Sequence, residues 1–266
     1  MSGRVVLVTG ASSGIGLACA DRLHLVGWTV IGTSRRAMGG LGWEAVRMDV
    51  DDDASVADGV AAILDRHGRL DAVVTCAGWG LAGAVEHTPI ERAKAQFETN
   101  YWGSVRVARA ALPALRASND GRLVFMSSIG GAIGIPFQAF YSSSKFALEG
   151  YAESLAYEVA PFGVKVTLVQ PGNFRTGFTD AREDVAVGPG DPYAEAANRA
   201  VAKMADDEQR GDEPTQVAEV VAKVLQSRRP PRRVSVGSAD ERVGLIARRL
   251  LPWRLFERAA RSSLGV

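Results

Sequence analysis

Short apolar runs alternate with longer amphipathic stretches along the first two thirds of the chain. Runs rich in Val, Ile and Leu predict strands that are buried on both faces. They are Val5–Val8, Thr29–Gly32, Ala45–Met48, Leu70–Val74, Gly121–Ser127 and Val164–Val169. Apolar positions at helical spacing predict helices between them. These are Ile15–Leu25, Ser55–Asp65, Glu91–Leu115 and Tyr141–Glu158. Strands that alternate with helices indicate a parallel sheet covered on both faces, a doubly wound α/β fold.

The pattern changes after Pro171. Residues 173–192 are polar and show no clear period, and a loop of that length is usually functional. We therefore expect a substrate lid over about residues 174–215. Beyond the loop we predict two helices, a strand and an amphipathic stretch that breaks at Pro252. They are Ala194–Asp206, Thr215–Gln226, Arg233–Val236 and Ala239–Ala260. No repeat or linker divides the chain, so residues 1–266 are predicted to form one domain.

Composition narrows the possible functions. Hydrophobic residues make up 47% of the chain, which is enough for a large core and argues against disorder. The 31 basic and 30 acidic residues nearly cancel, so no general attraction to nucleic acid is expected. The first apolar run ends at Thr9, too early for a secretory signal or a membrane span. Cys19 and Cys76 lie far apart in sequence, which favours a reducing cytoplasm over a disulfide framework.

A glycine-rich segment joins the first predicted strand to the first predicted helix. Residues 9–16, called the glycine turn below, read Thr-Gly-Ala-Ser-Ser-Gly-Ile-Gly. Gly10 permits a tight turn, Gly14 lets the backbone approach a pyrophosphate, and Gly16 lets the helix pack on the strand. The N–H groups at the start of a helix bind phosphate. Such a turn can also be merely structural, so further motifs are needed to decide.

A second motif combines groups suited to proton transfer. Tyr141 and Lys145 are four residues apart at the start of a predicted helix, so their side chains share one face. Ser127 and Ser128 end a predicted strand, where the reactive groups of a parallel sheet gather. The histidines, His24, His67 and His87, lack the spacing of metal ligands, and we expect no metal site.

Together these motifs resemble the short-chain dehydrogenase/reductase family, whose chain opens with Thr-Gly-x-x-x-Gly-x-Gly. Asp49-Val50 resembles the pair that contacts adenine in that family. Thr75 and Cys76 stand where the family has two asparagines, which puts one contact supporting the sheet in doubt. The resemblance is close over about residues 4–176. It implies a Rossmann-type fold and an oxidoreductase that interconverts an alcohol and a carbonyl.

The resemblance also implies catalytic roles. The family's serine lies thirteen residues before its tyrosine, which selects Ser128 over Ser127. Tyr141 is then the acid and base, and Ser128 polarises the substrate oxygen. Lys145 binds the nicotinamide ribose and, with the oxidised ring, is expected to lower the pKa of the phenol. Asn100 is expected to hold a water that relays the proton.

The predicted cofactor is NADP(H). The second strand ends at Ser34-Arg35-Arg36 without the acid that an NAD-selective site uses to bind the ribose 2′-OH. Arg35 is the favoured partner of a 2′-phosphate, with Ser34 and Ser13 as possible donors, although the turn could also be merely an exposed basic one. The expected cofactor contacts are Gly10, Ser12, Ser13, Gly14, Ile15, Gly16, Ser34, Arg35, Asp49, Val50, Ala77, Gly78, Asn100, Tyr141, Lys145, Pro171, Gly172, Phe174 and Thr176.

The substrate is less sharply defined. Residues 141–150 and 161–164 resemble the hydroxysteroid and retinol dehydrogenase branch, which implies a lipophilic alcohol or ketone. A ketoreductase for small polar metabolites and a non-catalytic NADP(H) sensor are the alternatives, and the intact Ser/Tyr/Lys set argues against the sensor. Four residues could line an apolar pocket or belong to the ordinary core. They are Trp79, Leu81, Phe178 and Tyr193. The resemblance also implies a homodimer or homotetramer.

The C-terminal stretch leaves three interpretations open. Residues 239–260 combine apolar positions with a series of arginines that continues to Arg261. The stretch could pack on its own domain, pair with a second subunit, or lie on a membrane surface with its arginines toward anionic lipid.

Overall fold

The computed structural model describes residues 3–263 and Gly265. The strands are β1 Val5–Thr9, β2 Thr29–Ser34, β3 Glu44–Arg47, β4 Ala72–Thr75, β5 Leu81–Ala82, β6 Arg122–Met126, β7 Lys165–Pro171, β8 Glu183–Asp184 and β9 Arg233–Val236. The α-helices are α1 Gly14–Leu25, α2 Asp53–His67, α3 Ile90–Phe97, α4 Ser104–Ala117, α5 Ala139–Val159, α6 Phe178–Ala181, α7 Ala194–Gln209, α8 Thr215–Gln226, α9 Ala239–Leu250 and α10 Trp253–Ser263. Most predicted elements begin and end within a few residues of these bounds.

Seven strands form one parallel sheet in the order β3-β2-β1-β4-β6-β7-β9. The chain runs outward from β1 to β3 and then returns to β4 on the other side of β1. The loops after β1 and β4 therefore diverge, and a crevice opens at the carboxyl ends of these strands, where ligands of such sheets bind. The prediction of a Rossmann-type doubly wound sheet is confirmed.

Helices cover both faces because the side chains of each central strand alternate between two apolar layers. In β1, Val5 and Leu7 belong to the layer that includes α2, α4 and α5. Val6 and Val8 belong to the opposite layer, with α1 and α8. All residues of β1 are buried, which explains why the strand reads as an unbroken apolar run.

The long helix predicted over Glu91–Leu115 is wrong in one respect. The α-helical hydrogen bonding stops at Phe97, and residues 98–103 form a π-helical turn before α4 begins. Such a turn accommodates an extra residue, and it is frequent at functional sites. Here it holds Asn100, whose side chain binds the backbone of Trp79 at two points. Apolar spacing alone does not register the extra residue.

The polar stretch 173–192 contains short elements that the sequence does not predict. Phe178–Ala181 is helical, and β8 pairs with β5 in a two-stranded parallel sheet. This pairing joins the loop after β4 to the predicted lid. The predicted break at Pro252 is confirmed, since it separates α9 from α10.

Candidate functional site

The glycine turn has the shape of an anion-binding loop. Gly10 and Gly14 have φ angles of 65° and 54°, which favour glycine. A Cβ on Gly10 would lie 2.8 Å from the Ala77 nitrogen, and one on Gly16 would lie 2.2 Å from the Gly10 carbonyl oxygen. Ser13 precedes α1 without a side-chain hydrogen bond to its first turn. The N–H groups at the start of α1 therefore remain available to a phosphate.

The ends of β2 and β3 contribute charged groups to the same crevice. Arg35 is exposed and lines it beside Ser34, whose hydroxyl oxygen accepts a hydrogen bond from the Arg36 nitrogen at 3.1 Å. Asp51, which the sequence argument did not select, also lines the crevice, and one of its carboxylate oxygens is buried without a partner. Burial raises the pKa of Asp51, while the Thr99 hydroxyl and the charge of Arg35 oppose the shift.

Tyr141 and Ser128 meet at the centre of the crevice. Ser128 lies two residues after the end of β6, and its hydroxyl oxygen accepts a hydrogen bond from the Gly130 nitrogen at 3.0 Å. Tyr141 comes from the first turns of α5, and its ring packs edge-on against Phe178 with centroids 5.7 Å apart. Burial raises the pKa of Tyr141 to about 12, although a hydrogen bond with Ser128 opposes the shift and the Glu208 charge adds to it. The phenol is therefore protonated at neutral pH.

Lys145 lies one turn further along α5. Its ammonium donates a hydrogen bond to the Met126 carbonyl at 2.9 Å and lies 5.9 Å from the centroid of the Tyr141 ring. Burial lowers the pKa of Lys145 to about 8, while the charges of Cys76 and Glu149 oppose the shift. Among the protein's own groups, burial of Tyr141 sets the direction of the shift in its pKa. The expectation that Lys145 together with the oxidised nicotinamide lowers this pKa stays a prediction.

Asn100 is fully buried and lies behind the crevice rather than in its wall. Its amide oxygen accepts from the Trp79 nitrogen at 3.0 Å, and its amide nitrogen donates to the Trp79 carbonyl at 3.0 Å and to the Ser144 hydroxyl at 3.2 Å. Both amide groups are thus engaged by the protein. The side chain connects the loop after β4 to α5, so its direct effect is to position these two elements.

The crevice continues into a cavity of about 1570 Å³. All predicted contact residues line this cavity except Asn100. Trp79 and Phe178 also line it, as the apolar-pocket hypothesis predicted. Leu81 and Tyr193 do not, because Leu81 is buried in β5 and Tyr193 packs against His87 at the surface. Among the described residues no cluster of His, Cys, Asp or Glu is arranged to hold a metal ion.

The far wall of the cavity comes from the C-terminal helix pair, α9 and α10. Glu241 fixes its position, since its carboxylate accepts from the Asn173 nitrogen at 2.7 Å and from the Ser238 nitrogen at 2.8 Å. A Cβ on Gly172 would lie 2.1 Å from this carboxylate, so Gly172 makes room for it. Ser238 and Glu241 form a capping box, a three-residue spacing that could have indicated this contact from the sequence.

The two cysteines, distant in sequence, are neighbours in the structure. Cys19 is buried in α1, and a hydrogen bond with Cys76 and burial raise the pKa of its thiol. Both are free thiols, and Cys76 lines the cavity.

Comparison with known proteins identifies the family. The sequence profile of the short chain dehydrogenase family matches residues 4–186. The chain belongs to this family. It is an oxidoreductase that acts on alcohols or their ketones.

Individual family members cover nearly the whole chain. It is 39% identical to 3-ketodihydrosphingosine reductase of Bacteroides thetaiotaomicron, over 98% of both chains. It is 33% identical to human retinol dehydrogenase 8, over 86% of this chain and 80% of the relative. A short-chain dehydrogenase from Streptomyces avermitilis has a similar structure, with 34% identity, a TM-score of 0.84 and 98% coverage of both chains. No helix in the described part of the chain is long and apolar enough to cross a membrane.

Proposed function

We propose that this oxidoreductase uses NADP(H) to interconvert a lipophilic secondary alcohol and its ketone. The observation that carries the proposal is that Tyr141, Ser128 and Lys145 line the same cavity as the glycine turn, with the Lys145 ammonium 5.9 Å from the centroid of the Tyr141 ring. We assign Tyr141, Ser128 and Lys145 as catalytic residues and Asn100 as a positioning residue.

The cavity residues fit a dinucleotide. Gly10 and Gly16 allow backbone segments of the turn to approach closely, since a Cβ at either position would collide with neighbouring backbone atoms, and the start of α1 supplies N–H groups for a pyrophosphate. Asp49, Val50, Ala77 and Gly78 would hold the adenosine half, and the loop from Pro171 to Thr176 would hold the nicotinamide half. The cofactor, when bound, supplies the hydride and, in its oxidised ring, a positive charge near the phenol.

The chain's own groups move the proton. Tyr141 carries a proton at neutral pH, because burial holds its pKa at about 12, and it donates that proton to the developing alkoxide. Ser128 donates a hydrogen bond to the same oxygen and stabilises its charge. The Met126 carbonyl holds the Lys145 ammonium 5.9 Å from the centroid of the Tyr141 ring, from where it would bind the ribose hydroxyls of the cofactor. In the oxidative direction the deprotonated form of Tyr141 would accept the alcohol proton, and the positive charge of an oxidised nicotinamide ring would favour that form.

Two features support NADP(H) over NAD(H). Residues 34–36 carry no carboxylate to accept from a ribose 2′-OH, and Arg35 lines the cavity with its guanidinium exposed. A planar guanidinium matches the oxygens of a phosphate, whereas a carboxylate at this position would repel them. Ser34 retains its hydroxyl proton for donation, because its oxygen accepts from Arg36.

The cavity supports a lipophilic substrate. Between the Tyr141–Ser128 pair and the C-terminal helix pair, apolar side chains line its walls, among them Ile133, Ile135 and Phe256. The similarity to a reductase of a lipid ketone and to a retinol dehydrogenase points the same way. We further propose that residues 1–266 act as one domain with a lid over about 174–215, and that the protein works as a cytoplasmic homodimer or homotetramer.

Purified protein incubated with 3-ketodihydrosphingosine, retinal, a keto steroid or a small polar ketone tests the proposal. NADPH or NADH is supplied, and loss of the reduced nicotinamide is followed by absorbance. We expect NADPH oxidation with at least one lipophilic ketone, and none with the Tyr141→Phe variant. Turnover of the small polar ketone alone, or a preference for NADH, contradicts the substrate or the cofactor assignment respectively.

A further inference from the structure

The outer surface of the C-terminal helix pair is strongly basic. Residues 239–263 contain six arginines against three acids, and one of these acids, Glu241, is used by the capping box. The arginines are Arg242, Arg248, Arg249, Arg254, Arg258 and Arg261. Within the part of the chain that the structure describes, none of them forms an ion pair. The Arg248 guanidinium lies over the rings of Trp253 and Phe256, at 4.7 and 5.5 Å from their centroids. The surface therefore carries a net positive charge that acidic side chains of the described residues do not neutralise.

The same helices expose large apolar side chains. Ile246 and Leu250 lie four residues apart on one face of α9, away from the cavity lining, and Leu250 is 76% exposed. Leu251 and Trp253 continue the apolar surface at the bend between the helices, where Trp253 is 59% exposed. No residue of α9 is buried, which is unusual for a helix that only completes a core.

Helix α10 has an apolar face toward the cavity and a basic face on the opposite side. Phe256, the one buried residue of α10, lies with Ala260 on the face that lines the cavity. Arg254, Arg258 and Arg261 recur at spacings of four and three residues and fall on the opposite face. The helix pair is thus a thin wall with the cavity on its inner side and a basic, apolar surface on its outer side.

We propose that the outer surface of the C-terminal helix pair docks on an anionic lipid bilayer. A helix with an apolar stripe flanked by arginines binds at the headgroup level, where Trp is also favoured. A two-fold contact with a second copy would place the same arginines against one another, which like-charge repulsion opposes. Because the inner side of the helix pair lines the cavity, docking brings the cavity next to the bilayer that dissolves lipophilic ketones.

Vesicle sedimentation with the full-length protein tests the proposal. Vesicles of phosphatidylcholine containing phosphatidylserine are compared with phosphatidylcholine alone. We expect binding to the anionic vesicles, which high salt reverses. The triple variant Arg254→Gln, Arg258→Gln, Arg261→Gln should lower the partition coefficient on the order of a hundredfold, which corresponds to about 1 kcal/mol for each arginine. Ile246→Gln with Leu250→Gln should also weaken binding, because it removes the apolar stripe.

A charge-matched control separates this surface from net charge. Arg47→Gln, Arg116→Gln and Arg228→Gln remove three exposed arginines from other parts of the chain, and this variant should bind vesicles like the wild type. Ketone reduction by all the variants in detergent solution reports that they are folded. The proposal is overturned if the wild-type protein does not bind anionic vesicles. It is also overturned if the control variant loses as much vesicle binding as the variant at Arg254, Arg258 and Arg261. A change of oligomer in sedimentation velocity without a change in vesicle binding assigns the surface to a second copy and also overturns it.

Discussion

Replacing Tyr141 with phenylalanine removes one oxygen from the proposed site and leaves its surroundings intact. The phenylalanine ring keeps the edge-on contact with Phe178. The Ser128 hydroxyl keeps two protein partners, since it accepts from the Gly130 nitrogen at 3.0 Å and lies 3.5 Å from the Pro171 carbonyl. Because no buried polar group loses all its partners, the free energy of unfolding should change by no more than about 1 kcal/mol.

The effect on turnover should be far larger than the effect on stability. General acid catalysis by a positioned side chain contributes about 100-fold to 10,000-fold, and kcat/KM for ketone reduction should fall by about that factor. Binding of NADPH should be unchanged, because the Lys145 ammonium remains held by the Met126 carbonyl. Cofactor fluorescence on titration, single-turnover reduction and denaturant unfolding measure the three quantities separately.

Tyr151→Phe provides the matched control. Tyr151 also lies on α5, and burial raises its pKa to about 12, but its ring packs against Phe125 in the core. Removal of its hydroxyl should leave turnover near the wild-type level. If Tyr141→Phe reduced turnover no more than Tyr151→Phe does, Tyr141 would not be the proton donor.

Three further predictions concern charged side chains in and around the cavity. Lys145 has a pKa of about 8 when folded, against an ordinary value of 10.5, so the unfolded chain binds more protons between these values. Wild-type stability should therefore rise with pH across this window, by up to about 3 kcal/mol relative to Lys145→Met, and denaturant titrations at several pH values should record the rise. Arg35→Asp should lower the ratio of kcat/KM with NADPH to that with NADH by about tenfold to a hundredfold, since a charge-assisted hydrogen bond to phosphate is lost. Arg36→Asp makes the same charge change, and a larger effect there would assign the 2′-phosphate to Arg36. Glu241→Ala should destabilise α9 by about 1–2 kcal/mol and speed trypsin cleavage in the C-terminal helix pair, whereas Glu257→Ala should do neither.

The parts of the fold that the sequence predicts are those determined by neighbouring residues. The strands are apolar runs because both faces are buried, and the glycine turn is recognisable because steric contact leaves no room for a Cβ at Gly10 and Gly16. Tyr141 and Lys145 lie one helical turn apart, so their common face follows from the spacing alone. The strand order confirms the predicted doubly wound sheet, and Ser128, Tyr141 and Lys145 line the cavity at its carboxyl edge.

The remaining features depend on contacts between distant segments. The pairing of β5 with β8 involves two residues on each strand, too few to produce an alternating pattern. The π-turn at residues 98–103 depends on how Asn100 meets Trp79, and the approach of Cys19 to Cys76 depends on how α1 packs beside β4. The high pKa of Tyr141 also arises from burial in the folded chain, which its local sequence does not encode.

Two stretches of chain that lie far apart in sequence form the two ends of the cavity. Groups assigned to the chemistry lie between residues 128 and 145, whereas α9 and α10, which close the far end, come after Gly237. Gly237 has a φ of 154°, which favours glycine, and it separates β9 from α9. Relatives could therefore exchange or diversify this terminal segment and acquire new ligand preferences while the hydride-transfer machinery stays fixed. For protein engineering, chimaeras joined at Gly237 offer a compact library for redirecting specificity.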